Sequence, residues 1–257
     1  MPLEKRNSRV NLFWTRLGFA LAFGLGMAIQ IWAARQWPAN FDSDEAIFGL
    51  MARHALQGRI PIYMYGPFHY LGSLESLLAA GFIKLFGSSV LVLRLSTLLL
   101  FGLFLISHGA LVCRAWGKRV AFFSLLVLAL PSWSILSLTI RPVGAFGAML
   151  VTGTAGLLLW QARATGRLHY ARLVAMGAVI GLGVWSHPMT VVYWAALGMV
   201  SWLRSPEWAK IRGWLLPRLR WPEAIFSALT LLGVGLVVLA FFSSGGAVGA
   251  MLPVAQR

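Results

Sequence analysis

The sequence predicts an all-α polytopic membrane protein with about seven transmembrane helices. Hydrophobic residues make up 59% of its 257 residues and charged residues only 11%, whereas an ordinary soluble domain carries about 25% charged residues. Apolar runs long enough to span a bilayer recur along the chain. Basic residues cluster between those runs, which is the pattern that sets membrane orientation. We therefore treat residues 1–257 as a single membrane domain.

The apolar runs predict the elements in order. A basic tail at 1–11 leads into a first span at 12–34, a retained signal anchor because no small-residue cleavage site precedes the polar stretch. An amphipathic stretch at 35–89 follows. The remaining spans fall within 90–242, in runs at 90–112, 120–138, 142–161, 173–203 and 223–242, and a short tail occupies 243–257.

Positive-inside counting fixes the orientation. Four basic clusters hold most of the 22 basic residues: Lys5, Arg6, Arg9 and Arg16; Arg114, Lys118 and Arg119; Arg163, Arg167 and Arg172; and Arg204, Lys210, Arg212, Arg218 and Arg220. All four are cytoplasmic if 173–203 crosses the membrane twice, as two short helices meeting at His187. Pro188 favours that break, since proline removes a helical donor and disfavours helix in the residue before it; one long tilted span is the alternative. The N-terminus is then cytoplasmic, and 35–89 and the tail are external.

The formal net charge of +15 does not indicate nucleic-acid binding. The basic residues are dispersed in short clusters between apolar runs and do not form one binding face. The expected surroundings are the lipid bilayer. Cys113, the single cysteine, excludes an internal disulfide and gives no information on redox compartment.

Two amphipathic interfacial helices are predicted in the external loop 35–89. The first covers 46–57, with aspartate and serine at its start and Gly58 after its end. The second covers 67–86, with Pro67 in its first turn and Gly87 just beyond. Their apolar faces would lie on the membrane surface.

Four of the seven acidic residues lie in this loop: Asp42, Asp44, Glu45 and Glu75. A structural explanation stands beside any functional one, since Asp42 or Asp44 can cap a helix and Glu45 can favour its first turn. Glu75 falls within the apolar stripe of the second helix, where a carboxylate needs a partner. Either Glu75 belongs to a functional site, or it forms an ion pair with Arg53, Arg59 or Lys84.

The order of motifs resembles a known family. Asp42-Ser43-Asp44-Glu45-Ala46 follows the first span, Tyr63-Met64-Tyr65-Gly66-Pro67 leads to Gly72-Ser73-Leu74-Glu75, and Phe86-Gly87 precedes Leu93-Arg94-Leu95. This resembles the GT-C-fold glycosyltransferases, in particular the prokaryotic protein mannosyltransferase-like group, glycosyltransferase family 39. The resemblance covers roughly residues 10 to 240.

The resemblance implies a membrane glycosyltransferase of a bacterial or archaeal inner membrane. It would move a sugar from a polyprenyl-phosphate carrier to an acceptor on the non-cytoplasmic face. The acidic residue that is the usual catalytic candidate in the family maps onto Asp44, with Glu45 beside it. A carboxylate suits the role of general base because it can take the proton of the acceptor hydroxyl. Candidate substrate-binding residues are Asp42, Arg53, Arg59, His69, Tyr70, Glu75, Lys84, Arg141 and His187.

Two departures separate the chain from that group. The expected second acidic residue near the start of the fourth span is absent from 141–147, and the lysine that the lipid A aminoarabinose transferases carry is absent from 65–67. Relatives also continue with more spans, so the chain is either a truncated or divergent member or one that works with a second membrane subunit.

Other functions compete with glycosyl transfer. A non-catalytic module of the same fold would bind a lipid carrier or a partner subunit. A small transporter ranks last, because carboxylates within the predicted spans are lacking. No cofactor or metal is expected; a divalent cation held by His54, His69 and the loop carboxylates is the alternative, although no compact ligand spacing supports it.

Overall fold

The computed structural model describes residues 2–36, 41–65, 70–162 and 165–203, with side chains from residue 16 onward. These residues form helices α1 Pro2–Gln36, α2 Ser43–Leu56, α3 Leu74–Phe86, α4 Val90–Trp116, α5 Lys118–Ala129, α6 Trp133–Thr139, α7 Phe146–Gln161, α8 Gly166–Ser186 and α9 Val191–Leu203. The chain divides into two compact units, Met1–Ala195 and Ala196–Arg257. The structural features discussed below lie in the first unit.

The helices are those of an α-helical membrane protein. Three are long and apolar enough to cross a membrane, namely Arg16–Gln36, Val90–Trp116 and Gly166–Ser186. The bent pair α5 and α6 adds a fourth if it counts as one span, and α7 and Pro188–Leu203 are shorter apolar helices. The predicted span 223–242 and the tail 243–257 lie outside the described residues.

Helix α2 confirms the first amphipathic helix of the loop. It begins after Asp42, whose side chain accepts a hydrogen bond from the Glu45 backbone N–H at 3.0 Å. This is the N-cap geometry, in which a side-chain oxygen satisfies a first-turn donor. The buried face of α2, including Phe48 and Met51, packs against Ala79 of α3.

Helix α3 begins later than the predicted start at residue 67. Leu71 O accepts a hydrogen bond from Met64 N–H at 2.8 Å, and Gly72 pairs with Tyr63 in an isolated antiparallel bridge. These contacts use backbone groups of Leu71 and Gly72 outside a helix, and the helix forms only from Leu74. The predicted end is confirmed, since Gly87 has φ +82°, a conformation that glycine adopts without steric cost.

The predicted span at 120–138 is not one straight helix. It divides into α5 and α6, which meet at an angle of 85°. Pro131 sits in the break, where its missing N–H and its restriction on Leu130 end α5. The predicted span is a bent pair of helices in this structure, and the proline in the sequence is the physical reason for the bend.

The predicted break at His187 is confirmed. Helix α8 ends at Ser186, a short 3-10 turn covers Pro188–Thr190, and α9 follows. Helix α8 nevertheless begins at Gly166, so Arg167 and Arg172 belong to a helix and not to a connecting loop. The apolar run at 173–203 is thus two helices, as the alternation of basic clusters required.

A second apolar core holds α1, α4 and α5 together. Ala22, Phe101, Phe104, Leu105 and Leu125 are buried in it. A neighbouring polar contact joins α1 to α6, where Gln30 Nε2 donates to Thr139 Oγ1 at 2.8 Å with both residues buried. This hydrogen bond fixes α6 against α1.

Candidate functional site

Two carboxylates and one arginine meet at the start of α2. Arg141, which follows α6, places Nη1 2.6 Å from Asp42 Oδ2. Its Nε also donates to Ser137 O of α6 at 3.2 Å, and this second contact orients the guanidinium. The Arg141 side chain is 16% exposed and that of Asp42 40%, so the pair lies at the edge of solvent. The structure therefore brings together Asp42 and Arg141, two predicted substrate-binding residues that are distant in sequence.

Asp44 completes this cluster, which we call the acidic cluster (Asp42, Asp44 and Arg141). It is half-buried. Burial raises the pKa of Asp44, the neighbouring charge of Asp42 raises it further, and Arg141 lowers it. No hydrogen bond ties the Asp44 carboxylate to another described residue. The Asp44 carboxylate is therefore partly accessible, which a proton acceptor needs in order to reach its substrate.

Glu45 has a different place from the one predicted. Both of its oxygens accept hydrogen bonds from Arg94, at 2.8 Å from Nε and 2.8 Å from Nη2, and both side chains are fully buried. Arg94 Nη1 also donates to Ala34 O at 2.9 Å. A carboxylate engaged in this way is a structural anchor between α1, α2 and α4. The geometry thus gives Glu45 a structural role instead of the catalytic one.

Glu75 does not pair with Arg53, Arg59 or Lys84. Its Oε1 lies 3.4 Å from the Ala148 backbone N–H, at the first turn of α7. Helix N-termini carry unsatisfied N–H groups and favour such an acceptor. Burial nevertheless dominates and raises the pKa of Glu75 from 4.5 to about 8, with the backbone N–H groups of Ala148 and Gly147 opposing it.

The second oxygen of Glu75 is buried without a hydrogen-bond partner among the described residues. Burial without a hydrogen-bond partner costs less free energy for a protonated carboxyl group than for a carboxylate. The geometry and the raised pKa therefore agree on a carboxyl group that holds a proton near neutral pH. Gly147 makes the approach possible, since a Cβ there would lie 3.1 Å from Glu75 Oε1.

His187 lies beside the same end of α7. Its ring is 5.2 Å from that of Phe146, and its Nδ1 accepts a hydrogen bond from Met189 N–H at 3.1 Å. Burial lowers the pKa of His187, which favours the neutral ring that this acceptor role needs. The His187 ring therefore caps the 3-10 turn that follows α8, and it also packs on the start of α7.

A backbone contact joins the segment before α3 to that break. Gly72 N–H donates to Ser186 O at 3.2 Å, and a Cβ on Gly72 would lie 2.5 Å from Trp185 O. Only glycine fits such an approach without displacement. The start of α3 is thereby held against the junction of α8 and α9.

Within the described residues, no contact joins the predicted cations Arg53, Arg59 and Lys84 to the acidic cluster. Arg53, Arg59, Lys84 and Tyr70 are exposed, and no hydrogen bond or ion pair within the described ranges connects the three cations to Asp42 or Asp44. His69 lies outside the described residues. The His54 ring nitrogen Nδ1 is 3.1 Å from Tyr65 Oη. Within the part of the chain that the structure describes, no three histidine, cysteine or acidic side chains group as metal ligands.

Sequence reasoning missed Arg94 as the partner of Glu45. The signal was present, because an arginine inside an apolar span is costly and needs a counter-ion. Comparison with protein-family models, with curated proteins and with solved structures finds no match for this chain. The functional argument therefore depends on the geometry above.

Proposed function

We propose that this chain is a membrane glycosyltransferase of the GT-C type, with seven spans and a cytoplasmic N-terminus in a bacterial or archaeal inner membrane. It moves a sugar from a polyprenyl-phosphate carrier to an acceptor on the non-cytoplasmic face. One observation carries the proposal: Asp44 is a half-buried carboxylate with a raised pKa, set beside the Asp42–Arg141 ion pair. A base tuned towards neutral pH next to a cation suits transfer from a phosphate leaving group.

The reaction is a single inverting displacement. Asp44 takes the proton of the acceptor hydroxyl while that oxygen bonds to the anomeric carbon of the sugar. The bond from that carbon to the phosphate oxygen breaks, and its electron pair leaves on the lipid phosphate. One base and no covalent intermediate are needed, by analogy with inverting glycosidases. Arg141 supplies positive charge for the developing phosphate and holds Asp42 in place.

Glu75 supports the resemblance in an unexpected way. The related enzymes place a second acidic residue near the start of the fourth span, where this chain has none in sequence. Glu75 reaches that point from α3, since its Oε1 lies at Ala148 of α7. We assign it a positioning role, in which its carboxyl fixes the first turn of α7 against α3.

A non-catalytic module that binds a lipid carrier or a second membrane subunit is the alternative. It is favoured by the burial of Glu45 and Glu75, because two of the four acidic residues of the loop are then inaccessible to a substrate. Turnover separates the two proposals, because a binding module releases no product from any donor.

The test is a transfer assay with purified full-length protein and a panel of polyprenyl-phosphate sugars. We expect Asp44→Asn to lower kcat about a hundredfold or more, the usual contribution of a general base. Ser43→Asn is the matched control, since Ser43 is exposed one position away. Unchanged turnover in Asp44→Asn removes this mechanism, and absence of turnover with every donor favours the binding module.

A further inference from the structure

Glu75 attaches α3 to the first turn of α7 through a carboxyl group that is only half satisfied. The residue is 1% exposed. Its Oε1 lies 3.4 Å from the Ala148 N–H, and its Oε2 has no hydrogen-bond partner among the described residues. The two helices are therefore joined through one oxygen, while the other oxygen is buried at a cost in free energy.

The groups around Glu75 do not neutralise a charge on it. Helix α7 carries no titratable side chain, and within the described residues no charged group forms a hydrogen bond or ion pair with Glu75. Burial lowers the pKa of His187, so its ring is neutral where Glu75 titrates, and Glu45 and Arg94 neutralise each other. An ionised Glu75 would thus be buried without a counter-ion. The titratable and charged side chains on α3 and on the elements around it are Asp44, Glu45, Arg53 and His54 of α2, Lys84 of α3, Arg94, His108 and Arg114 of α4, Arg141 before α7, and His187 after α8.

The segment that leads into α7 is strained. Ala145 is buried and has φ +54°, a left-handed conformation that is costly for a residue other than glycine. Such a conformation persists only where its surroundings hold it. The contact from Glu75 to Ala148 holds the turn that follows this residue. Arg141, which pairs with Asp42, lies four positions before Ala145, so this segment also connects the start of α7 to the acidic cluster.

We infer that Glu75 is a proton-operated latch, whose hold on the first turn of α7 is strongest when its carboxyl group is protonated and weakens when it loses that proton. On opening, the start of α3 separates from the first turn of α7 and the carboxyl group becomes hydrated. Its O–H bond breaks, and water takes the proton. The latch does not depend on glycosyl transfer. It makes the attachment of α3 to α7 respond to the pH of the solution that reaches these residues.

The pH dependence of opening has a definite sign. In the closed state the pKa of Glu75 is about 8, and in the hydrated open state it returns to its ordinary value of 4.5. Between these values the open state has lost a proton that the closed state keeps. The equilibrium constant for opening should therefore rise about tenfold per pH unit in this range. Above about pH 8 both states are ionised, so opening should become independent of pH.

Hydrogen exchange of the purified full-length protein in detergent measures this opening. Protection factors, which are corrected for the pH dependence of the exchange chemistry, should fall about tenfold per pH unit for the amides of Gly147 and Ala148 from about pH 6 to about pH 8. These amides should also be less protected than those at 98–105 in α4, because they open without global unfolding. Equal protection of the two stretches at every pH would mean that the start of α7 opens only when the whole fold does, which overturns the latch.

Two variants of neighbouring residues locate the titrating group. Glu75→Gln keeps an acceptor for the Ala148 N–H and cannot ionise, so its protection factors should not change with pH. Ser76→Ala is the matched control, since Ser76 is buried at the next position of α3 and does not titrate; it should keep the wild-type slope. A wild-type slope in Glu75→Gln overturns the latch. Loss of the slope in both variants also overturns it, because the effect would then follow any change to this turn of α3.

Infrared spectroscopy of the wild-type protein gives a second readout that needs no variant. The absorption of a buried protonated carboxyl group should disappear as the pH rises through about 8. If that absorption is absent or does not change with pH, the latch is overturned, even where Glu75→Gln fails to fold. Both measurements are made without a sugar donor, so their outcomes are separate from that of the transfer assay.

Discussion

Arg94 and Glu45 form a fully buried, two-point ion pair, with two nitrogen–oxygen distances of 2.8 Å. Burial of two charges is costly unless the geometry satisfies both, so such a pair contributes little net stability against an apolar replacement. Loss of one partner is different, because the other charge is then buried alone. The pair connects α2 to α4, and Arg94 also binds the backbone at the end of α1.

The first prediction concerns this pair. Glu45→Leu or Arg94→Met should destabilise the fold by about 3–5 kcal/mol, the cost of breaking a buried pair. The double variant Glu45→Leu with Arg94→Met should recover much of that loss, since no charge remains. Thermal unfolding in detergent measures each variant. Additive single and double effects would contradict a coupled pair.

The second prediction concerns the pH dependence of transfer. Because Asp44 acts as a base, kcat/KM should fall as the pH drops through its pKa. Arg141 lowers that pKa and Asp42 raises it. Arg141→Gln should therefore move the acidic limb of the pH profile to higher pH, and Asp42→Asn should move it to lower pH. Asparagine remains a good N-cap, so α2 keeps its start; shifts in the same direction would contradict the assignment.

The third prediction concerns Glu75 and stability. Its pKa in the folded state is about 8, against an ordinary value of 4.5, so between these values the folded chain holds a proton that the unfolded chain has lost. The free energy of unfolding should therefore be greatest below pH 4.5. It should fall by a few kcal/mol in all as the pH rises through about 8. Glu75→Gln should flatten this slope, because the amide keeps an acceptor for Ala148 and cannot ionise. Identical slopes for the two proteins, measured by unfolding across this range, would show that Glu75 does not titrate as described.

The fourth prediction concerns orientation. Ser43 and Lys118 are both exposed, and the proposed topology places them on opposite sides of the membrane. With Cys113 replaced by serine, Ser43→Cys should react with a membrane-impermeant maleimide in intact cells. Lys118→Cys should react only after permeabilisation. Protection of Ser43→Cys until permeabilisation would place Asp44 in the cytosol and end the sugar-transfer proposal.

Local rules in the sequence located most helix ends in the described part of the chain. Asp42 and Gly87 act as the cap and terminator that their residue types indicate, and Pro188 ends a helix as its chemistry requires. Pro131 carried the same signal inside an apolar run. Hydropathy alone cannot distinguish a bent pair of helices from one straight span, so the apolar run by itself does not reveal the bend.

The candidate site was less predictable because its contacts are long-range. Arg94 and Glu45 are 49 positions apart, and Arg141 and Asp42 are 99 apart. A sequence shows that a buried charge needs a partner but not which of several carboxylates will reach it. The distinction between Asp44 and Glu45, adjacent and alike in chemistry, depends on which face of α2 each occupies.

The buried arginine of α4 has a consequence for biosynthesis. Arg94 lies in the second turn of a candidate span, and insertion of an unpaired arginine into a membrane is unfavourable. Glu45 precedes it in the chain, so the carboxylate has already been synthesised when the arginine leaves the ribosome. Pairing can then begin as the helix enters the bilayer, and a chain inserted with α2 on the other side would have no counter-ion there. One salt bridge thus requires α2 and the start of α4 to lie on the same side of the membrane.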